Sequence, residues 1–160
     1  MVNKEQLDGM YKLLSDAYKG NWQYRWQDNP FLEEAIKEGK VESVVGHVWG
    51  TMELWFHLRR VCPKLDSLVN TTQVYEIILN HDLGETNAGD TPLYRKINGA
   101  EDTKQSERDD LKQITDPSPE VQTELLSWFD EFEQDIERID RLEMLVVKWL
   151  DSLQGDHFAL

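Results

Sequence analysis

The stretch ESVVGHVWGTMELWFHLRR, residues 42–60, decides the fold. Val44, Val45, Val48, Trp49, Met52, Trp55 and Leu58 recur in it at three- and four-residue steps, the period of a helix with a broad apolar face. Pro63 closes that helix. The same period extends both ways. Leu7, Met10, Tyr11, Leu14 and Tyr18 share one face of an N-terminal helix that Gly20 ends. Trp22, Tyr24 and Trp26 alternate only briefly, which predicts a loop or short extended piece, and Pro30 to Lys37 reads as a short helix stopped by Gly39. Thr71 to about Gly84 forms another helix, capped by Thr71 or Thr72 and burying Val74, Ile77, Ile78 and Leu83. Ser118 and Pro119 open a further helix carrying Val121, Leu125, Trp128, Phe129 and Phe132. Ile136, Ile139, Leu142, Leu145, Val146 and Trp149 continue the pattern past a bend near Asp135, and the tail after Gly155 is expected to fray. Asn98-Gly99 stands in polar surroundings, so no hairpin signal competes, and the expected architecture is all-α.

A chain of 160 residues with 39% hydrophobic residues and sixteen aromatics can build one domain with a real core. We expect a single compact helical domain over residues 1–160, its core spanning about 5–155, with a charged loop or flap over about 87–116. Within that flap, Asn87 to Asn98 reads as an ordered loop, and residues 101–116 as an exposed helix or a mobile flap with only Leu111 and Ile114 clearly apolar. Cys62 is the single cysteine, so no intramolecular disulfide or zinc-ribbon spacing exists. A net charge of -14 disfavours nucleic-acid polymers and anionic membranes as partners. It leaves room for a small anionic substrate, because at physiological salt the field is screened beyond roughly 8 Å. The N-terminal residues lack the apolar run of a signal peptide, and no apolar stretch has membrane-spanning length, so a cytoplasmic protein is expected.

The segment HDLGETNAGD, residues 81–90, concentrates the chemistry. Glu85 follows His81 by four residues and Asp82 by three, so one helical turn gathers an imidazole and two carboxylates, a mixed nitrogen and oxygen set for a divalent metal. Gly84 and Gly89 permit close backbone approach. The alternative is that His81 merely caps the helix C-terminus, where a cationic imidazole is favoured. His47 is expected to face inward between Val44, Val48 and Trp49, as a core histidine or a ligand. Asp140, flanked by Ile139 and Leu142, is either paired with Arg138 or Arg141 or a metal ligand. His57 and His157 read as surface residues.

In order, Arg25-Trp26, ESVVGH, HDLGE followed by GD, and IDRLEML resemble the signature of HD-domain phosphohydrolases, and within them the branch that contains the 5′-deoxynucleotidases. The similarity spans roughly residues 20–155. The resemblance implies that His47, His81, Asp82 and Asp140 hold one divalent metal per subunit, with room for water. Such a site suits Mn, Co, Fe or Mg better than closed tetrahedral zinc, although zinc is possible. It further implies Glu85 as the catalytic carboxylate and Arg25, Trp26 and Asp90 as substrate contacts, while by charge alone Lys96, with Arg95 and Lys104, is either a phosphate-gathering cation or a solvated loop charge. Gly84, in place of the alanine usual before the glutamate, and Gly46, before the histidine, depart from the family pattern, and the loop TPLYRKINGAED does not copy its spacing.

Three functions are open at this level. One is a 5′-deoxynucleotidase releasing phosphate and deoxynucleoside. The second is a deoxynucleoside triphosphohydrolase of the kind some phages use to remove dATP, and the third an acidic helical binding module with a structural metal. A homo-oligomer is expected from the resemblance and from apolar residues such as Trp22, Trp55 and Phe56.

Overall fold

A computed structural model describes residues 4–26, 30, 32–88 and 103–159. Its helices are α1 (Lys4–Ala17), α2 (Glu33–Lys37), α3 (Val44–Val61), α4 (Pro63–Asp66), α5 (Thr71–Asn80), α6 (Glu85–Ala88), α7 (Lys104–Thr115), α8 (Pro119–Phe132) and α9 (Leu142–Ala159). Short 3-10 turns cover Tyr18–Asn21 and Ile136–Arg138. The all-α expectation holds. The only extended pairing among the described residues is a single antiparallel bridge between Tyr24 and Ser43. No described helix is long and apolar enough to cross a membrane.

The core is a central α3–α5–α9 packing with α7 and α8 laid beside it. Trp55 from α3, Val74, Ile77 and Ile78 from α5, and Met144, Val147 and Leu150 from α9 are essentially solvent-free. Leu111 and Ile114 of α7 and Leu125, Trp128, Phe129 and Phe132 of α8 complete the same cluster. Lys148 ties α9 to the C-terminal end of α8 by donating to the carbonyls of Phe132 and Gln134. A cation there also complements the negative end of the helix dipole.

Several boundaries and faces differ from the sequence expectations. On α3 the buried stripe is narrow, made of Val44, His47, Thr51 and Trp55, while Val45 and Trp49 are exposed. The three- and four-residue period marks a face but cannot say how much of it neighbours will cover. Of the apolar residues from which an oligomer is expected, Trp55 is fully buried in the core of the domain, whereas Trp22 and Phe56 are exposed. On α1 the whole apolar face of Leu7, Met10, Tyr11, Leu14 and Tyr18 lies open. The cap of α5 is Asn70, whose Oδ1 accepts from the amides of Thr72 and Gln73, not Thr71 or Thr72. That helix ends at Asn80, and residues 81–84 form turns before α6. Residues 104–115 are a packed helix with Glu107, Leu111, Ile114 and Thr115 buried, rather than an exposed helix or mobile flap. Beyond Gly155, α9 continues to Ala159 instead of fraying.

Candidate metal centre

The segment from Glu42 to His47 gathers four functions at the start of α3. Ser43 caps α3, its Oγ accepting from the Gly46 amide at 3.0 Å, an interaction typically worth about 1 kcal/mol. Val44 anchors the first turn in the core, and His47 follows three residues later on the same buried stripe. Glu42, just before the cap, is buried too. Its carbonyl accepts from the Arg25 amide at 2.8 Å and the Val44 amide donates to Gln23 at 2.9 Å, so the chain around residue 25 is stitched to the start of α3.

His81 and Asp82 arrive from the end of α5. The helix stops at Asn80, and the turn that follows points both side chains across to His47. The imidazole rings of His47 and His81 lie 5.5 Å apart. His47 Nε2 is 3.5 Å from Asp82 Oδ2, and His81 Nε2 is 3.3 Å from Asp82 Oδ1. Ligand atoms of His47, His81 and Asp82 all fall within 4.8 Å of one another. His47 Nε2, His81 Nε2 and Asp82 Oδ2 are buried and have no hydrogen-bond partner. Polar atoms are rarely left so in an interior, because each costs the desolvation of an unmade bond. Three of them converging on one point fit a divalent cation, with two imidazole nitrogens and carboxylate oxygen as ligands.

The expected fourth ligand is displaced. Asp140 is exposed, and it lies on the wall of a surface groove of about 900 Å³ with Arg108, Arg138 and Arg141. The carboxylate that reaches the histidines is Asp151, 2.9 Å from His47 Nε2 and 4.0 Å from His81 Nε2. The cause is where α9 begins. The chain leaves α8 at Phe132, makes a 3-10 turn and re-enters a helix only at Leu142, so Asp140 precedes the helix. Asp151 sits nine residues into it, about 14 Å along the axis at 1.5 Å per residue. A signal for it was present in the sequence. Val147, Leu150, Asp151 and Gln154 follow the spacing of one helix face, so two polar residues share a stripe with buried Val147 and Leu150.

The charges around the cluster are mutually adjusted. Burial by itself would raise the Asp151 carboxyl, but the close contact and charge of His47, with His81 and Arg25 behind, draw it down to about 2. Burial would lower His47, yet the carboxylates of Asp151 and Asp82 outweigh it and raise the imidazole above its usual value. Arg25 lies beside the cluster, its Nη1 3.7 Å from Asp82 Oδ2, and is largely buried. His81 donates Nδ1–H to the Ile78 carbonyl at 2.7 Å, which turns its Nε2 toward the other ligands.

The remaining expected site residues are distributed as follows. Glu85 is half-buried at the first position of α6, directly after the turn that carries His81 and Asp82. Trp26 is half-buried with its indole N–H donating to Glu42 Oε2 at 3.2 Å. Its backbone takes a positive φ of 63°, a conformation costing on the order of 1–3 kcal/mol outside glycine. Asp90 and Lys96 lie outside the described residues. His57 and His157 are exposed, as the sequence indicated. Gln154 and Glu42 were not anticipated as functional. Gln154 is buried and joins His47 Nδ1 to Glu42, a contact made across 107 residues of chain.

Gly84 shows why the glycine in HDLGE is required here. A Cβ at that position would lie 2.4 Å from the Glu107 carbonyl oxygen. The turn and α7 therefore approach backbone to backbone.

A family model described as HD domain matches residues 33–156, well over half of the chain, and that range includes His47, His81, Asp82, Asp151 and Gln154. No curated protein and no solved structure compared with the chain matches it. HD domains are typically metal-dependent hydrolases, and the buried histidine and aspartate cluster agrees with that chemistry. The chain belongs to the HD-domain family.

Proposed function

We propose that this protein is a metal-dependent phosphohydrolase acting on deoxynucleoside 5′-monophosphates, releasing phosphate and the deoxynucleoside. The observation that carries the reading is the convergence of three unpartnered buried atoms, His47 Nε2, His81 Nε2 and Asp82 Oδ2, with the Arg25 guanidinium next to them. Neutral imidazoles and carboxylates together suit Mn, Co, Fe or Mg. When bound, such a cation supplies Lewis-acid charge stabilisation and lowers the pKa of water.

The chain's own residues supply the rest. His47, His81, Asp82 and Asp151 would hold the cation. Arg25 offers a planar fork of donors to phosphate oxygens, which a lysine could not match in geometry. In the reaction a water oxygen bonds to phosphorus, the bond from phosphorus to O5′ breaks, and the departing oxygen takes a proton. Glu85 is the group assigned to moving that proton. Trp26, fixed through its indole N–H, would present its ring to the sugar or base. Asp90 remains a proposed contact near the sugar and phosphate by the family resemblance, and Lys96 a proposed phosphate contact by its charge. The open apolar face of α1, together with exposed Trp22, supports a homo-oligomer.

The test is turnover of metal-loaded protein on deoxy- and ribonucleotides at each phosphorylation level, with products resolved. Release of inorganic phosphate from dAMP or another deoxynucleoside monophosphate supports the proposal. Release of triphosphate from a dNTP would replace it with the triphosphohydrolase reading. No turnover of any nucleotide, with metal retained, would favour a binding module.

A further inference from the structure

The two histidines of the cluster are oriented by different kinds of acceptor. His81 Nδ1–H meets a backbone carbonyl, that of Ile78, which has no other orientation to offer. His47 Nδ1 meets the side-chain amide of Gln154, which can present either its oxygen or its nitrogen. If the nitrogen faced the ring, Nδ1 would have to accept, and the proton would move to Nε2, the atom needed as a ligand. Something must therefore fix the amide.

Glu42 does so. Gln154 Nε2 donates to Glu42 Oε1 at 2.6 Å, and the other carboxylate oxygen accepts from Trp26 Nε1 at 3.2 Å. A carboxylate accepts only, and an indole N–H donates only, so the chain of hydrogen bonds has one direction. The Gln154 amide nitrogen must point to Glu42, its oxygen must point to His47, and His47 must carry its proton on Nδ1. We infer that Gln154 is a positioning residue that sets the His47 tautomer and presents Nε2 to a metal, with Glu42 as the group that orients Gln154. Such outer partners of a ligand histidine are commonly worth 10- to 100-fold in metal affinity. The inference rests on the metal reading given above, and extends it to Gln154 on α9 and to Glu42, just before α3.

The surroundings are built for this chain. His47, Glu42 and Gln154 are all buried, so water does not substitute for the contacts. Gly50, one turn after the histidine, leaves the space Gln154 occupies: a Cβ there would stand 3.1 Å from Gln154 Nε2 and 3.2 Å from its Cγ. Gly155, the next residue on α9, likewise lies under the Trp26 ring, 3.4 Å from the place of its missing Cβ to Cζ2. The same carboxylate thus links His47 to the Arg25-Trp26 turn.

The experiment compares full-length wild type, Gln154→Met and Glu42→Gln by histidine 15N spectroscopy, metal-free and Mg2+-loaded, and by Mn2+ titration. Wild type is expected to show a protected His47 Nδ1–H resonance with contacts to the Gln154 side chain. In Gln154→Met that resonance loses its protection and Mn2+ binds about 10- to 100-fold more weakly. Glu42→Gln, nearly isosteric, should weaken both in the same direction. A wild-type His47 with no proton on Nδ1 overturns the inference whether or not the variants fold. So does a folded Gln154→Met that keeps both the protected proton and the wild-type affinity. If wild type shows the protected Nδ1–H but takes up no Mn2+, the metal reading of the cluster fails while the assignment of Gln154 to the tautomer stands.

Discussion

His47 Nε2 lies 2.9 Å from Asp151 Oδ1, joining α3 to the second half of α9 across more than a hundred residues. With His81 and Asp82 on the turn after α5, this contact closes a cluster drawn from three separate elements. No local segment could form it alone. On the proposed function, the cluster would let a protein of net charge -14 accept an anionic substrate. A bound divalent cation and Arg25 would make one pocket locally positive while the rest of the surface stays acidic.

Asp151→Ala should lower Mn2+ affinity by at least about 100-fold, since removal of a direct ligand exceeds the loss seen for outer partners. Asp140→Ala, at the exposed groove with Arg138 and Arg141, should leave it unchanged. Calorimetric titration of both variants checks this, and the reverse order would return the fourth ligand to Asp140.

Removal of metal by a chelator should abolish hydrolysis, and added Mn2+ should restore it. Glu85→Gln should lower turnover by about 10²–10⁴-fold, the usual range for a lost acid–base group, while bound metal measured by elemental analysis stays at the wild-type level.

Gly84→Ala should destabilise the protein by about 1–3 kcal/mol. The added methyl meets the Glu107 backbone carbonyl at 2.4 Å, and a backbone atom of a packed helix cannot swing aside. The shift is read from the midpoint of urea unfolding. A neutral result would mean that α7 moves freely against the turn.

Asp66 gives a pH-dependent contribution at the junction of α3, α4 and α5. Thr71 Oγ1–H donates to its Oδ1 at 2.7 Å, and Arg59 Nε lies 3.0 Å from the same oxygen. The Thr71 hydrogen bond above all, against the opposing effect of burial and with Arg59 adding to it, holds this carboxyl below the ordinary aspartate range. A lowered folded-state value means the contribution is fully present above the unfolded-state value of about 3.9 and is lost as pH falls through the folded one. Asp66→Asn should therefore be less stable than wild type near neutral pH, and the gap should shrink in acid. Melting temperatures of the two proteins across an acid series test it.

Much of this is legible in the sequence. Three- and four-residue spacing located the principal helices, because burial of one face is what makes such a pattern. The His81-Asp82 pair and His47 could be singled out as polar groups set among apolar neighbours. The capping residues were harder. Asn70 competes with Thr71 and Thr72 for the same role, and only the backbone direction before α5 favours it. Asp140 drew attention as an acid between Ile139 and Leu142, while Asp151 followed a tryptophan and leucine without special emphasis. Choosing between them requires knowing that α8 ends at Phe132 and that α9 starts at Leu142.

The amino-acid sequence by itself determined an acidic, all-helical domain and the residue types that could hold a cation, since those follow from periodicity and local chemistry. Only the tertiary structure decided which carboxylate completes the cluster, which histidine nitrogen faces it, and that Gln154 and Glu42 stand behind His47. Helix crossing and the register of α9 against α3 set those distances, and they depend on the joint packing of elements far apart in the chain.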